Sequence, residues 1–403
     1  MPHSRSAAGA ADSRRCRRED PATALTSAAV KRIARACGAG AVRIASADAD
    51  PATLARLRAA LARADLATWS YDDAYARAAS EPGTMLPGAR SVVCIAVPYA
   101  TPPPPERRGR GRVSAYAWSP DYHRAMRATL GEIAREIDAL AGTAVTRVAC
   151  DTAPLAERAF AARAGLGWVG KHTSLIVHGL GSAVFLGEIV TTLALEPDPP
   201  LATSCGSCAR CVDVCPTGAL RGDRTMDANR CISDLTQRRD AIPRALRPLV
   251  GTWVWGCDLC NDACPPSIRA GRRGGSAFAP ADDGVAAPDL HELLRVRGAA
   301  FRRLRATAMG WRGATVLRRN AAVALGNGLD RADVPALATA LREDPSPLVR
   351  GHAAWALGRI GSPQAYAALH AAAASERTDA VREEVAAALE PQAPQPAFQH
   401  HTL

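Results

Sequence analysis

The sequence predicts an α/β or α+β N-terminal domain, then a small cysteine-rich domain, then an all-α region of helical repeats. Helical and strand patterns alternate before residue 200, and cysteines cluster after it. A 32-residue period marks the C-terminal part. The chain of 403 residues is long enough for two or three hydrophobic cores.

Composition narrows the class of protein. With 48% hydrophobic and 22% charged residues the chain is typical of a soluble globular protein. It lacks the run of about 18 apolar residues that would span a membrane, so we expect no membrane partner. The net charge of +11 favours a polyanionic partner such as nucleic acid. A GC-rich genome, which encodes arginine freely, also contributes to this charge, since Lys31 and Lys171 are the only lysines.

The chain ends carry little structural signal. The first residues are rich in arginine and have no continuous apolar segment, so we expect a cytoplasmic protein. A disordered N-terminus is predicted over residues 1–22 and a tail over residues 393–403.

The N-terminal domain is predicted over residues 23–200. Residues 91–97, 144–150 and 184–190 are short apolar runs typical of buried strands, and residues 122–140 have helical spacing. These patterns leave the topology open between α/β and α+β. A proline-rich segment at 196–200 ends the domain.

The cysteines that follow have the spacing of bacterial ferredoxins. The first run is Cys205, Cys208, Cys211 and Cys215, the last before a proline. The remaining members are Cys231 and the run Cys257, Cys260 and Cys264, which also ends before a proline. Eight thiolates are enough for two [4Fe–4S] clusters, which predicts a ferredoxin-like domain over residues 201–268. Zinc is the alternative, but zinc does not account for two Cys-Pro pairs.

The ferredoxin pattern also predicts which cysteines share a cluster. The cysteine that precedes proline ligates the other cluster in two-cluster ferredoxins. The first predicted ligand set is therefore Cys205, Cys208, Cys211 and Cys264. The second is Cys215, Cys231, Cys257 and Cys260. Two neighbouring clusters would conduct single electrons toward an acceptor in an adjoining domain.

The predicted helical region, residues 289–392, contains an internal repeat. The 32-residue period is seen in Arg318, Arg350 and Arg382 and again in Leu325, Leu357 and Leu389. Each unit holds two amphipathic helical stretches, as at 349–357 and 364–374, which is typical of HEAT-like repeats. Gly326 and Gly358 are predicted to lie at helix ends.

One carboxylate stands out in the N-terminal domain. Asp151 follows the apolar run 144–150 directly. It is either the N-cap of a helix that begins near Pro154 or a general acid whose pKa burial raises. From the residues alone, the cap is the better interpretation.

The order and spacing of many segments resemble the epoxyqueuosine reductase family of tRNA-modifying enzymes, from about residue 86 to 357. Besides the cysteine runs, the resemblance rests on Leu-Pro-Gly-Ala-Arg-Ser-Val at 86–92, Ser-x-Tyr-Ala-Trp at 114–118, Asp-Tyr-His at 121–123, Asp-Thr-Ala-Pro at 151–154, Ala-Gly-Leu-Gly-Trp-Val-Gly-Lys at 164–171, Cys-Ile-Ser-Asp-Leu-Thr at 231–236, Gly-Cys-Asp-Leu-Cys at 256–260, Arg-Asn-Ala at 319–321 and Asp-Pro-Ser-Pro-Leu-Val-Arg at 344–350.

The resemblance implies a cobalamin-dependent reductase. Two electrons and two protons would remove the epoxide oxygen of epoxyqueuosine as water, leaving queuosine at the wobble position of tRNA. The N-terminal domain would hold cobalamin, the clusters would feed it electrons from an unidentified low-potential donor, and a monomer is expected. Asp151 matches the family's proton donor, which reverses the preference for a cap. The implied cobalamin contacts are Tyr116, Trp168, Lys171 and Ser233.

The resemblance also implies contacts with the tRNA anticodon stem-loop. The predicted tRNA-binding residues are Arg238, Arg239, Arg318 and Arg319, which lie in basic runs at 238–247 and 295–319. Trp311 could serve as a stacking platform for a base. The alternative for each basic run is a solvated face.

Two other functions compete with this interpretation. One is a cobalamin and iron–sulfur reductase of a small molecule, similar to reductive dehalogenases. The other is an electron carrier on a repeat scaffold, which would leave the N-terminal domain without a role. The sequence also departs from the family at Asp234, where the family has tyrosine, and at Pro266-Ser267, where it has Trp-Asn.

Overall fold

The computed structural model describes residues 25–280 and 282–390. The predicted N-terminus 1–22 and tail 393–403 lie outside these residues. The strands are β1 (Ala41–Ser46), β2 (Ser91–Pro98), β3 (Arg112–Val113), β4 (Thr146–Ala149), β5 (Gly167–Val169), β6 (Leu175–Val177), β7 (Val184–Thr191) and β8 (Trp253–Trp255).

The α-helices are distributed over the whole described chain. They are α1 (Ser27–Ala36), α2 (Pro51–Ala62), α3 (Asp73–Ser80), α4 (Tyr122–Ala141), α5 (Glu157–Arg163), α6 (Arg210–Asp213), α7 (Ile232–Gln237), α8 (Leu259–Asp262), α9 (Pro265–Ala270), α10 (Asp283–Ala286), α11 (Leu290–Leu294), α12 (Gly298–Arg305), α13 (Ala314–Gly328), α14 (Val334–Glu343), α15 (Pro347–Ile360), α16 (Pro363–Ser375) and α17 (Asp379–Leu389). Short 3₁₀ helices are Pro82–Thr84, Ala115–Ala117, Ala228–Arg230, Arg244–Val250, Ser276–Phe278, Ala308–Gly310 and Arg331–Asp333. Among the described helices, none combines the length and apolar character needed to cross a membrane.

The N-terminal domain is built on a four-stranded sheet of order β1-β2-β7-β4. Every neighbouring pair in it is antiparallel. The fold class left open by the sequence is therefore α+β, because a parallel sheet would be required for the α/β class. The predicted strands at 91–97, 144–150 and 184–190 and the predicted helix at 122–140 correspond to β2, β4, β7 and α4.

Both faces of this sheet are buried, which explains why β2 reads as a continuous apolar run. Val93 and Ile95 face one core together with α1 and α4, whereas Val92 and Cys94 face a second core beneath α5. Successive side chains of a strand point to opposite faces, so a strand covered on both sides needs apolar residues throughout.

The first core continues without interruption into the cysteine-rich and helical parts. Strand β3 of the N-terminal part pairs in parallel with β8, which lies between the cysteine runs. Trp255 on β8 is fully buried in the same cluster as Ile95 of the sheet and Leu317 of α13. The domain boundaries at 200, 268 and 289 stay predictions, since one hydrophobic core crosses all of them.

The helical repeat is confirmed by contacts that recur at the same spacing. Nε of Arg318 lies 2.7 Å from Oδ2 of Asp344, and Nε of Arg350 lies 2.7 Å from Oε2 of Glu376. Both members of the second pair are 32 residues after those of the first. Arg318 and Arg350 therefore join the first helix of one unit to the loop before the next, which is a structural role.

The periodic glycines lie in the last turns of their helices, close to the predicted helix ends, although they do not cap them. Gly326 is within α13 and Gly358 within α15. A Cβ on Gly326 would lie 2.8 Å from Cα of Ala356, and a Cβ on Gly358 would lie 2.7 Å from the carbonyl oxygen of Ala388. Glycine is required at these positions because consecutive repeats approach each other backbone to backbone.

This close packing predicts the effect of adding one methyl group. Gly358→Ala should lower the free energy of unfolding by about 1–3 kcal/mol, because the methyl would collide with backbone that cannot rotate away. Gly328→Ala is the matched control, since a Cβ there meets nothing closer than 4.0 Å. Denaturation midpoints of the two variants should differ; equal midpoints would contradict the packing account.

Candidate iron–sulfur and proton-transfer site

Members of the first predicted cysteine set lie close enough to influence one another's charge, but within the described residues no three side chains are arranged to hold a metal ion, so the ligand sets stay a prediction. In the first set, burial raises the pKa of Cys211 to about 11, and the thiols of Cys264, Cys205 and Cys208 contribute by charge repulsion. Cys211 lies on α6, and Cys264 immediately precedes α9. Four mutually repelling thiolates are stable when iron neutralises them, which matches the chemistry of a cluster site.

All four cysteines of the second set are partly buried, and none of them is exposed. Burial raises the pKa of Cys257, of Cys260 and of Cys231, and neighbouring thiols of the same set raise it further. Cys260 is also close enough to Cys211 of the first set to feel its charge. The two ligand sets are therefore adjacent, and they differ in access to solvent, because Cys208 of the first set is exposed.

Asp151 lies in a strained loop at the end of β4. Its φ of +53° is a left-handed conformation that few residues other than glycine, asparagine and aspartate adopt. The backbone N–H of Asp151 donates to Oε1 of Glu157 at 2.5 Å, and its carboxylate Oδ2 faces Nε2 of His123 at 3.0 Å. Helix α5 begins at Glu157, and Asp151 accepts no bond from its backbone. The cap interpretation of Asp151 is therefore wrong.

His123 is held between two carboxylates. Its Nδ1 lies 2.7 Å from Oδ1 of Asp121, and its Nε2 faces Asp151. Carboxylates are acceptors, so both contacts are hydrogen bonds at once only when the ring carries two protons. The bond to Asp151, against the opposing effect of burial, raises the pKa of His123.

The proton of this pair rests on the histidine. The hydrogen bond from His123 lowers the pKa of Asp151, although burial acts in the opposite direction. Burial does act to raise the pKa of Asp151, but the bond from His123 outweighs it, so the expectation of a raised net pKa is wrong. Sequence reasoning also missed His123, which is 28 residues from Asp151. The available signal was the Asp-Tyr-His segment at 121–123, which the family shares.

A second acidic pair lies behind the loop. Burial raises the pKa of Glu157 to about 7, against the bond from the Asp151 N–H. Glu188 on β7 is fully buried; burial and the neighbouring Glu157 raise its pKa well above the usual range. Two carboxyls in one apolar site cannot both ionise easily, so this pair retains a proton near neutral pH.

The predicted cobalamin residues fall in two places. Tyr116 is half-buried, and its hydroxyl oxygen accepts from Nε1 of Trp255 at 2.9 Å. Gln237 lies beside Tyr116 and donates to Oγ of Ser233 at 3.0 Å. Trp168 and Lys171 are half-buried and lie on and just after β5. Tyr116 and Ser233 thus both lie beside Gln237, and within the described residues no hydrogen bond or ring contact joins them to Trp168 or Lys171.

Three of the four predicted tRNA-binding arginines are interior, so that prediction is wrong for them. Arg238 pairs with Asp234, and Arg318 pairs with Asp344. Arg319 is fully buried. Its guanidinium donates to the carbonyl oxygens of residues 235, 238 and 240. A phosphate cannot reach donors that are buried and already bonded. Arg239 is exposed and stays a prediction.

The two departures from the family pattern have local structural partners. Asp234 is buried, pairs with Arg238 at 2.5 Å, and accepts from the hydroxyl of Thr68. Oγ of Ser267 accepts from the backbone N–H of Ser182 at 3.0 Å, which anchors the turn before β7 to α9. Both residues are thus accommodated by bonds between segments distant in the sequence.

Comparisons with known families cover each part of this architecture. Residues 204–267 match the 4Fe-4S double cluster binding domain, and residues 312–390 match HEAT repeats. Residues 80–152 match the family described as epoxyqueuosine reductase QueG, DUF1730.

Individual relatives agree with these matches. The chain is 36% identical over 318 residues to an epoxyqueuosine reductase of Bacillus cereus, covering 77% of this chain and 83% of the relative. A second, from Xanthomonas campestris, is 38% identical over 76% of this chain and 88% of the relative. Among solved structures, a selenomethionine-labelled epoxyqueuosine reductase superposes with a TM-score of 0.86 at 31% identity, covering 90% of this chain and 98% of the other.

A further solved structure holds an RNA. It is an epoxyqueuosine reductase with an epoxyqueuosine-modified tRNA-Tyr stem loop; it superposes with a TM-score of 0.84 at 31% identity and covers 90% of this chain and 97% of the other.

The fold and the cysteine site define an iron–sulfur oxidoreductase with a double [4Fe–4S] domain and HEAT repeats. The chain belongs to the epoxyqueuosine reductase family.

Proposed function

We propose that this enzyme reduces epoxyqueuosine to queuosine at the wobble position of tRNA, using cobalamin and two [4Fe–4S] clusters. The observation that carries the proposal is the similarity to epoxyqueuosine reductases over three quarters of the chain, with 36% identity to the Bacillus cereus enzyme. The structure that contains an epoxyqueuosine-modified stem loop supports the same substrate. The reaction takes two electrons and two protons and releases the epoxide oxygen as water.

The residues at the predicted cofactor site are compatible with cobalamin. Nε1 of Trp168 is buried without a hydrogen-bond partner, although buried donors are nearly always paired. A polar group of a bound cofactor would satisfy it. Lys171 follows on the same hairpin, and Tyr116 and Ser233 would contribute hydroxyls. Cobalamin, when bound, supplies the low-potential redox chemistry that amino-acid side chains lack.

The exposure of the cysteines gives electron transfer a direction. Cys208 of the first ligand set is exposed, whereas no cysteine of the second set is exposed. A low-potential donor would therefore reduce the first cluster, and the second cluster would pass electrons inward. Tyr116 lies at the inner end of this electron path, next to the second ligand set. A Cβ added to Gly256, the residue before Cys257, would lie 3.1 Å from the Tyr116 ring.

The His123–Asp151 pair would supply protons for the same reaction. His123 keeps its proton to a higher pH than an ordinary histidine, and its Nε2 faces the half-exposed carboxylate of Asp151. Asp151 would accept this proton and pass it to the epoxide oxygen. The buried pair of Glu157 and Glu188 retains a further proton behind the loop.

Nucleoside analysis tests the proposal directly. Anaerobically purified enzyme with cobalamin and a low-potential reductant is incubated with a stem-loop RNA that carries epoxyqueuosine. Conversion to queuosine is expected, with iron and sulfide at two clusters per chain. Unchanged epoxyqueuosine in a cluster-loaded, cobalamin-loaded preparation would exclude the proposed reaction.

The His123–Asp151 pair predicts how the reaction rate depends on pH. The pKa of His123 is raised above its ordinary value of 6.5, so the ring keeps its proton to a higher pH than an ordinary histidine and loses it as the pH rises further. Single-turnover rates should therefore be maximal below this pKa and fall as pH rises through it. His123→Gln should be slower and should lack this limb of the profile. A wild-type profile in the variant would contradict the assignment.

A further inference from the structure

We propose that four stacked aromatic side chains and an adjacent arginine form a binding surface for the unpaired bases of an RNA loop. These residues, here called the aromatic column, are Trp69, Tyr71, Tyr75, Trp311 and Arg312. The inference rests on the proposed function, because it assigns the place where nucleotides beside the modified base would bind.

The rings of the column follow one another in nearly parallel planes. The centroid of Trp311 lies 5.7 Å from that of Trp69 at 21°. Trp69 is 6.1 Å from Tyr71 at 7°, and Tyr71 is 4.0 Å from Tyr75 at 21°. Nucleobases bind such faces by stacking, without regard to base identity.

The column is exposed, and it joins two distant parts of the chain. Trp69 and Tyr71 precede α3, whereas Trp311 lies just before α13. Trp69 is 40% exposed, Tyr71 38% and Trp311 47%. Large aromatic side chains are ordinarily far more buried, so three of them in one exposed cluster indicate a binding surface.

Positive charge accompanies the rings. The guanidinium carbon of Arg312 lies 3.6 Å from the ring centre of Trp311 and 5.3 Å from that of Trp69. Its Nε is buried and without a hydrogen-bond partner. Burial lowers the pKa of Arg312, and the positive charge of the nearby Arg239 lowers it further.

These two cations distinguish the class of partner. Neither Arg239 nor Arg312 has an ion-pair partner among residues 25–280 and 282–390. Aromatic faces bounded by unpaired arginines suit a ligand that carries both flat bases and phosphates, which is a single-stranded nucleic acid. A purely apolar protein partner would leave both charges without a counterion.

The inner end of the column lies near the reaction site. Burial raises the pKa of Tyr75 to about 12, and Tyr71, Glu157 and Asp151 contribute. The column therefore extends from the surface at Trp311 toward the loop that carries Asp151. Bases next to the reacting nucleotide could stack on the column while that nucleotide reaches Asp151.

Binding of RNA by cluster-loaded enzyme tests this surface. The probes are an unmodified anticodon stem-loop and a blunt duplex with the same stem sequence. Trp311→Ala should weaken stem-loop binding roughly tenfold and leave duplex binding unchanged, since only the loop offers unstacked bases. The factor should be the same at low and high salt, because stacking releases no counterions. Arg239→Gln should instead reduce the salt dependence.

Two variants keep the result interpretable. Trp311→Phe retains a flat ring and should keep most of the affinity, and Leu329→Ala removes a side chain of similar exposure (48%) outside the column and should have no effect. Wild-type stem-loop affinity in Trp311→Ala, or equal losses for stem-loop and duplex, would overturn the inference. Because the probes carry no epoxide, failure of the proposed reaction would appear separately, as unchanged epoxyqueuosine in the wild-type assay.

Discussion

Asp151→Asn is expected to lower the rate of epoxide reduction by about 10²- to 10⁴-fold, the usual contribution of a positioned general acid. Asparagine has the same shape as aspartate and tolerates the left-handed backbone of this position, where φ is +53°. The loop should therefore keep its conformation while losing the group that accepts a proton from His123 and passes it on. Single-turnover rates with an epoxyqueuosine stem-loop measure the effect.

The control for this variant separates chemistry from assembly. Asp283→Asn changes an exposed carboxylate on α10 and should leave the rate unchanged. Iron and sulfide content and stem-loop affinity should match the wild type in both proteins. Full activity of Asp151→Asn would remove Asp151 from the reaction.

Arg319→Ala is expected to lower the free energy of unfolding by about 3–5 kcal/mol, since it removes buried charge-assisted bonds and leaves a cavity. Its guanidinium donates to the carbonyls of residues 235, 238 and 240, at and beyond the end of α7. The carbonyls of Leu235 and Arg238 would be left buried without these donors. The neighbouring Asn320 donates to the carbonyls of Thr236 and Val254, so α13 is pinned to the cysteine-rich part at two consecutive residues.

Denaturation under anaerobic conditions measures this loss. Arg239→Ala is the matched control, because Arg239 is exposed and makes no ion pair with the described residues. Its midpoint should equal that of the wild type. Equal stability of Arg319→Ala would mean that water replaces the lost donors, contrary to the burial of this site.

The sequence was sufficient wherever the signal is local. The strands β2 and β7 and the helix α4 follow from their own hydrophobic periods, and the cysteine sets follow from ligand spacing. Contacts between distant segments gave no such signal. His123 meets Asp151 only because α4 packs beside β4, and Arg319 meets its acceptors only when α13 docks on α7. The arginine runs therefore predicted an RNA surface at positions that the fold uses for internal bonds.

The junction between α13 and α7 also has a consequence for how the parts of the chain are joined. Cys231, a predicted cluster ligand, is the residue before α7, and the carbonyls that hold Arg319 begin four residues later. Trp311 precedes α13 on the other side of this junction. The cysteine-rich part and the helical repeats therefore meet at one short helix, next to a predicted ligand.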